Sequence, residues 1–182
     1  MLPFLKEIQQ QPEALKNTLD FYVDMEKGGK RLRAVEAFLH TNFVSDVCFS
    51  GMGSSLFNSR LSKYYLASKS LSCTTEDTGE LMRYSGSPDM QTALRSLYVF
   101  VSQSGESGEI VNTLHKWQNS IPENRLWSIT NTPDSTLAKR SYFTFPTIAG
   151  TETSVTSKTY VTGLLVHLLL SRTIAGQRPL TI

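Results

Sequence analysis

Two short turns rich in serine and glycine carry the residues with the clearest chemistry. The first, Gly51-Met-Gly-Ser-Ser55, follows the apolar run Asp46-Val-Cys-Phe-Ser50. The second, Ser102-Gln-Ser-Gly-Glu-Ser107, follows Leu97-Tyr-Val-Phe-Val101. A helical pattern comes after each, so both read as strand-to-helix turns whose amides and hydroxyls point past the end of a sheet. That is where a parallel α/β sheet holds an anion. Gly51, Gly53 and Gly105 let the backbone turn tightly. Ser54, Ser55, Ser102, Ser104 and Ser107 supply hydroxyls, and Gln103 supplies an amide that both donates and accepts. Serines also cap helices as a matter of routine. Neither turn contains Lys or Arg, so a ligand would be held by neutral donors and helix dipoles. A small phosphorylated metabolite suits such a site better than a polyanion.

The elements that must position these turns alternate. Strands are expected at Val47–Ser50, Leu71–Thr75, Leu97–Val101, Leu126–Thr130 and Tyr142–Phe145. Helices are expected at Ser55–Ala67, Thr78–Tyr84, Ser107–Gln118, Ser135–Arg140 and Val155–Leu170. Ahead of them, Ile8–Val23 reads as one helix and Leu32–Leu39 as another, separated by Gly28-Gly29. Five strands joined through helices predict a parallel sheet in a three-layer αβα arrangement. The continuous apolar runs Cys48-Phe49 and Tyr98–Val101 suit central strands buried on both faces, whereas Leu71-Ser-Cys-Thr-Thr75 belongs near an edge. In the common order 2-1-3-4-5, strands one and three are neighbours and their helices leave to opposite faces. Both Ser/Gly turns then fall at that switch point.

The bulk properties narrow the function. The chain has 182 residues, 40% hydrophobic and 19% charged, and a net charge of +2. That size buries a substantial core, and the charge forms no basic stripe for nucleic acid. No apolar run approaches the ~20 residues that span a bilayer, and the first residues lack a signal-peptide profile. A cytoplasmic setting is expected, with Cys48 and Cys73 as buried free thiols. The segments read as a helical lead-in (1–45), the α/β domain (46–173) and a C-terminal tail (174–182). His40, His115 and His167 all fall on helices and are expected to pack or cap.

The motifs resemble the sugar isomerase (SIS) domain, with its flavodoxin-like sheet order. Ser102-Gln-Ser-Gly-Glu-Ser107 is similar to that family's S-Q-S-G-E-T signature, and Gly53-Ser-Ser55 to its G-T-S turn. Glu7-Ile-Gln-Gln-Gln-Pro-Glu-Ala-Leu15 resembles the K-E-I-x-E-Q-P opening of the isomerase part of glucosamine-6-phosphate synthase. Ala149-Gly-Thr-Glu-Thr-Ser-Val-Thr-Ser157 resembles its A-G-x-E-x-x-V-A-S-T-K motif. Fructosamine deglycases and amino-sugar isomerases share the pattern. The resemblance implies a hexose 6-phosphate held by Gly53, Ser54, Ser55, Ser102, Gln103, Ser104, Gly105 and Ser107, with Val155 touching the sugar. Neither cofactor nor metal is implied. Lys158 comes one residue earlier than the motif lysine and receives no role.

Aldose–ketose isomerisation needs a base to move a proton between neighbouring carbons. In the resembled enzymes that glutamate, and a ring-opening histidine, come from a second SIS lobe, and nothing in this sequence matches them. Glu152 is a weak catalytic candidate only. The chain therefore reads as one lobe of a sugar-phosphate isomerase or deglycase, completed by a second lobe or by a second copy in a homodimer. A phosphosugar-sensing module is the non-enzymatic alternative. A dinucleotide fold is less favoured, because Gly51-x-Gly53-x-x-Leu56 lacks the third glycine. No Gly-Lys-Ser/Thr or G-x-S-x-G occurs, which argues against a P-loop and a serine hydrolase.

Overall fold

A computed structural model describes residues 3–153 and 155–177; the end of the expected tail, 178–182, lies outside them. In chain order the elements are α1 (Pro3–Gln9), α2 (Gln11–Val23), α3 (Gly28–Thr41), β1 (Asp46–Gly51), α4 (Ser54–Ala67), β2 (Ser72–Asp77), α5 (Thr78–Tyr84), α6 (Met90–Arg95), β3 (Ser96–Val101), α7 (Gly108–Trp117), β4 (Leu126–Thr130), α8 (Thr136–Arg140), β5 (Phe143–Pro146) and α9 (Lys158–Ile174). The strands form one parallel sheet in the order β2-β1-β3-β4-β5, as expected. Every residue of β3 is buried, whereas the edge strand β2 has no fully buried residue.

Alternation along the strands builds two cores. Val47, Phe49, Leu97, Val99, Trp127, Ile129 and Phe145 face one layer. Cys48, Tyr98 and Phe100 face the other, with Ile110, Leu114 and Trp117 of α7 and Leu137 of α8. This is the two-residue period of a pleated strand. On the first face, Phe38 of α3 meets Trp127 edge to face at 5.4 Å, and the Trp127 indole donates to the Asn124 carbonyl at 3.0 Å. Helix α9 packs there among α2, α3 and α4, with Val166, Leu169 and Leu170 in the core. The leading helices thus cover much of an α9 surface that is apolar nearly all round. Cys48 and Cys73 are free thiols; Cys48 is buried as expected, whereas Cys73 on the edge strand is only half-buried, and desolvation pushes both up to about 12.

Four elements differ from the sequence expectation. Gly28 and Gly29 do not separate the leading helices but open α3, which runs Gly28–Thr41 where Leu32–Leu39 was expected; the break falls at residues 24–27. The Ile8–Val23 helix is broken at Gln10, because Pro12 belongs in the first turn of a new helix and cannot continue an old one. Helix α6 was not expected; Asp89 starts it by accepting from the Thr92 amide (3.0 Å) and hydroxyl (2.7 Å). Helix α9 begins at Lys158, three residues after the expected start at Val155, for a reason given with the site.

His167 of α9 is fully buried. Its Nδ1 lies 2.7 Å from the Ser62 hydroxyl, and its ring rests 5.2 Å from that of Phe49. Desolvation holds its pKa down at about 3, so the imidazole is neutral. The unfolded chain binds a proton there near pH 6.5 and the folded chain does not, so stability is complete above that pH and falls below it. Denaturant unfolding should show a loss of about 2 kcal/mol on going from pH 7 to pH 5. His167→Leu should remove most of that slope; an unchanged slope would exclude His167 as its source.

Candidate functional site

Strands β1 and β3 run side by side in register, Asp46 opposite Ser96 through Gly51 opposite Val101. The two Ser/Gly turns therefore leave the sheet at the same level. The first leads into α4 on the α9 side, and the second into α7 beside α5 and α8. Departure to opposite faces opens a crevice between them, as expected at a switch point.

In the first turn Gly53 sits at φ +52°, and the backbone swings directly into α4. No side chain caps that helix. Ser54 and Ser55, half-buried, occupy its first turn at the positive end of the helix dipole, with the Ser55 amide donating to the Met52 carbonyl at 3.0 Å. In the second turn Gly105 has φ +66°, and an added Cβ would lie 2.2 Å from Ser135 Oγ. Only glycine fits. Ser102, 8% exposed, accepts from the Gly105 amide at 3.0 Å. Ser104 accepts from the Glu106 amide at 3.2 Å. Both hydroxyls act there as acceptors, which leaves each its own proton to donate to a ligand oxygen. Ser107 stands at the N-cap of α7 without a side-chain capping bond. Glu106 turns away and accepts from the Thr136 amide at 2.6 Å, which keeps its carboxyl below the usual range.

A third segment closes the crevice. Asn131, after β4, clamps it: Oδ1 accepts from the Thr147 hydroxyl and the Ala149 amide, each at 2.9 Å, and Nδ2 donates to the Gly150 carbonyl at 2.8 Å. Glu152 then caps α9. Its Oε1 accepts from the amides of Ser157 (2.7 Å) and Lys158 (2.6 Å) and from the Ser157 hydroxyl (3.1 Å), while Oε2 takes the Thr159 hydroxyl. A carboxylate so placed satisfies the orphan amides of the first turn and fixes where the helix begins. These bonds occupy Glu152 in holding the segment. The Lys158 ammonium is buried and donates to Gln10 Oε1 (2.9 Å) and the Thr151 carbonyl (2.8 Å). Glu7 accepts from the amide and hydroxyl of Thr153 at 2.7 and 3.0 Å. The two ends of the chain that resemble family motifs are thus tied to each other.

The crevice is narrow, about 20 Å³, and is walled by Ser54, Ser55, Ser102 and Gln103 together with Asn58, Thr156 and Thr159. Gly53, Ser104, Gly105, Ser107 and Val155 do not line it, and Val155 is 65% exposed. Asn58, Asn131, Thr156 and Thr159 escaped the sequence reading. Only the Asn131-Thr-Pro133 turn signal hinted at one of them. Among the described residues, none of the lining side chains carries an acid or base. A larger cavity of about 490 Å³ lies at the opposite end of the sheet, against Trp117, Leu126 and Tyr142. The C-terminal ends of α7 and α8 meet it, and Lys139, Arg140 and Glu123 line it as well. Among the described residues there is no group of side chains able to hold a metal ion, and no helix is long and apolar enough to cross a membrane.

If Glu152 caps α9, Glu152→Ala should cost about 0.5–2 kcal/mol of stability and raise amide exchange in the first turn of α9. Unchanged exchange there would remove the capping role.

No family model matches the chain. It is 33% identical over 175 residues to a glutamine–fructose-6-phosphate aminotransferase [isomerizing] of Wigglesworthia glossinidia brevipalpis, covering 91% of this chain and 26% of that protein. The C-terminal domain of glucosamine-fructose-6-phosphate aminotransferase from Francisella tularensis is 28% identical with a TM-score of 0.77, over 96% of this chain and 47% of that one. A Methanococcus jannaschii protein, inferred from its structure to be a 3-hexulose-6-phosphate isomerase, shares the fold at 16% identity and a TM-score of 0.68, over 95% of this chain and 93% of that one. The chain spans about a quarter of the length of the curated relatives it matches. Sheet order, both Ser/Gly turns and these relatives agree that the chain belongs to the sugar isomerase (SIS) domain family, its homologues being the isomerase domains of glutamine–fructose-6-phosphate aminotransferases.

Proposed function

We propose that this chain is a phosphosugar-binding SIS lobe that takes a hexose 6-phosphate across the turns after β1 and β3. The observation that carries the reading is the meeting of these two turns at one level of the sheet, beside the uncapped start of α4. The phosphate is held by the hydroxyls of Ser55, Ser102, Ser104 and Ser107 and by α4 amides, with Gln103 and Ser54 alongside and Val155 against the sugar. Gly53 and Gly105 let the backbone come close. Each charge-assisted hydrogen bond contributes about 1.5–3 kcal/mol.

A hexose phosphate is far larger than a 20 Å³ crevice, so most of it lies across the mouth, where this chain offers one wall. Among the described residues no lining side chain carries an acid or base, which supports a proton-transfer group supplied from another lobe. The Francisella tularensis structure, of which this chain covers 47%, is long enough to hold a second such unit. Either a second lobe or a second copy of this chain supplies the opposite wall. The absence of lining acids and bases also favours a second reading, a non-catalytic phosphosugar sensor.

Two measurements test the reading. Ser55→Ala and Ser104→Ala should each weaken fructose 6-phosphate binding about tenfold and leave the circular dichroism spectrum unchanged; unaltered dissociation constants would sink the assignment. Light scattering at low micromolar concentration should give the mass of a dimer, and a clean monomer at 20.4 kDa would refute self-association.

A further inference from the structure

Asn58 stands one turn beyond Ser54 and Ser55 on the α9 side of α4. It is 4% exposed and forms part of the crevice wall. Its Nδ2 donates to the Tyr160 carbonyl at 3.1 Å, and that bond fixes the orientation of the amide, since the flipped form would set oxygen against oxygen. The carboxamide lies over Gly163 of α9, where an added Cβ would come within 2.5 Å of Nδ2. Oδ1 is left buried without a hydrogen-bond partner among the described residues. A buried carbonyl in that position costs stability unless something donates to it.

The crevice in front of Asn58 holds about 20 Å³, enough for one oxygen atom and its proton. Its other walls are mixed: the hydroxyl-bearing Ser55, Ser102, Thr130 and Thr159 stand beside the apolar Val101 and Ile129, so a donor that enters has few alternatives to Oδ1. We infer that Asn58 Oδ1 accepts a hydrogen bond from one hydroxyl of the bound sugar, which enters the crevice while the phosphate stays on the serine turns. The inference rests on the phosphosugar reading and adds to it a specificity-determining residue: Asn58 reads the sugar and leaves the phosphate alone. A ligand with a phosphate and no such hydroxyl should gain nothing from it.

The test compares fructose 6-phosphate with inorganic phosphate by calorimetric titration. Two variants approach Asn58 from different sides. Asn58→Ala removes the acceptor. Gly163→Ala keeps it but drives a methyl group into the carboxamide, and the gain in helix propensity offsets part of the strain. Both should weaken fructose 6-phosphate about three- to tenfold and leave inorganic phosphate unchanged, whereas Ser104→Ala weakens both ligands. Equal loss of both ligands in the Asn58 and Gly163 variants would assign Asn58 a structural role and overturn the inference. Unchanged fructose 6-phosphate binding in either folded variant would leave Oδ1 to an ordered water and overturn it too. Wild-type protein that binds neither ligand would overturn the phosphosugar reading, and this inference with it.

Discussion

The in-register pairing of β1 with β3 is the constraint on which the rest of the architecture depends. It sets Gly51 opposite Val101, so two chains leave the sheet side by side with little room. A Cβ at Gly51 would fall 2.9 Å from Ser55 Cβ and 3.0 Å from the Val101 carbonyl. The crowding is relieved by sending α4 to one face and α7 to the other. Strands so placed are buried on both sides, which is why β1 and β3 are apolar along most of their length. Both helix layers follow from that, and so does the polar gap between the turns.

That gap is built from neutral groups. Hydroxyls, amides and the carboxamides of Asn58 and Gln103 face it, and two carboxylates beside it are employed elsewhere: Glu152 on the start of α9 and Glu106 on the start of α8. A site of this composition favours recognition over proton transfer, because none of its lining groups changes charge near neutral pH. The same residues that hold the backbone in its turns, Ser102 and Ser104, present the hydroxyls. In the proposed site, structural and binding roles would fall to the same side chains, which is how capping and ligand contact look alike in a sequence.

The strands and both turns were legible because their signals are local, and the sheet order followed from the commonest arrangement of five such strands. An apolar run of β-branched and aromatic residues followed by Gly and Ser says strand, then tight turn, within ten residues. The break before Pro12 and the Asp89 start of α6 were also written locally, in a proline and a capping side chain, and were passed over. Asn131, Asn58 and Glu7 are different. Asn131 acts on a carbonyl 19 residues away, Asn58 on one 102 away, and Glu7 on an amide 146 away. No periodicity announces such partners, since the contact exists only after the chain has come together. Lys158 shows the same limit: its sequence position looked like a shifted motif residue, and its role depends on where Gln10 lies.

The bonds from Glu7 to Thr153 and from Gln10 to Lys158 span 146 and 148 residues, and this has a bearing on how the molecule assembles. Contacts so distant in sequence come at the highest loop-closure cost and form late. The strand-following turns are local and organise with their own strands, but the third wall waits for the first helix to dock. Disorder at either end takes hydrogen-bond partners from the other, which couples the lead-in to the segment around residue 152. A stretch that seems peripheral to the sheet thereby shares with Asn131 and Glu152 the work of holding the rim of the crevice.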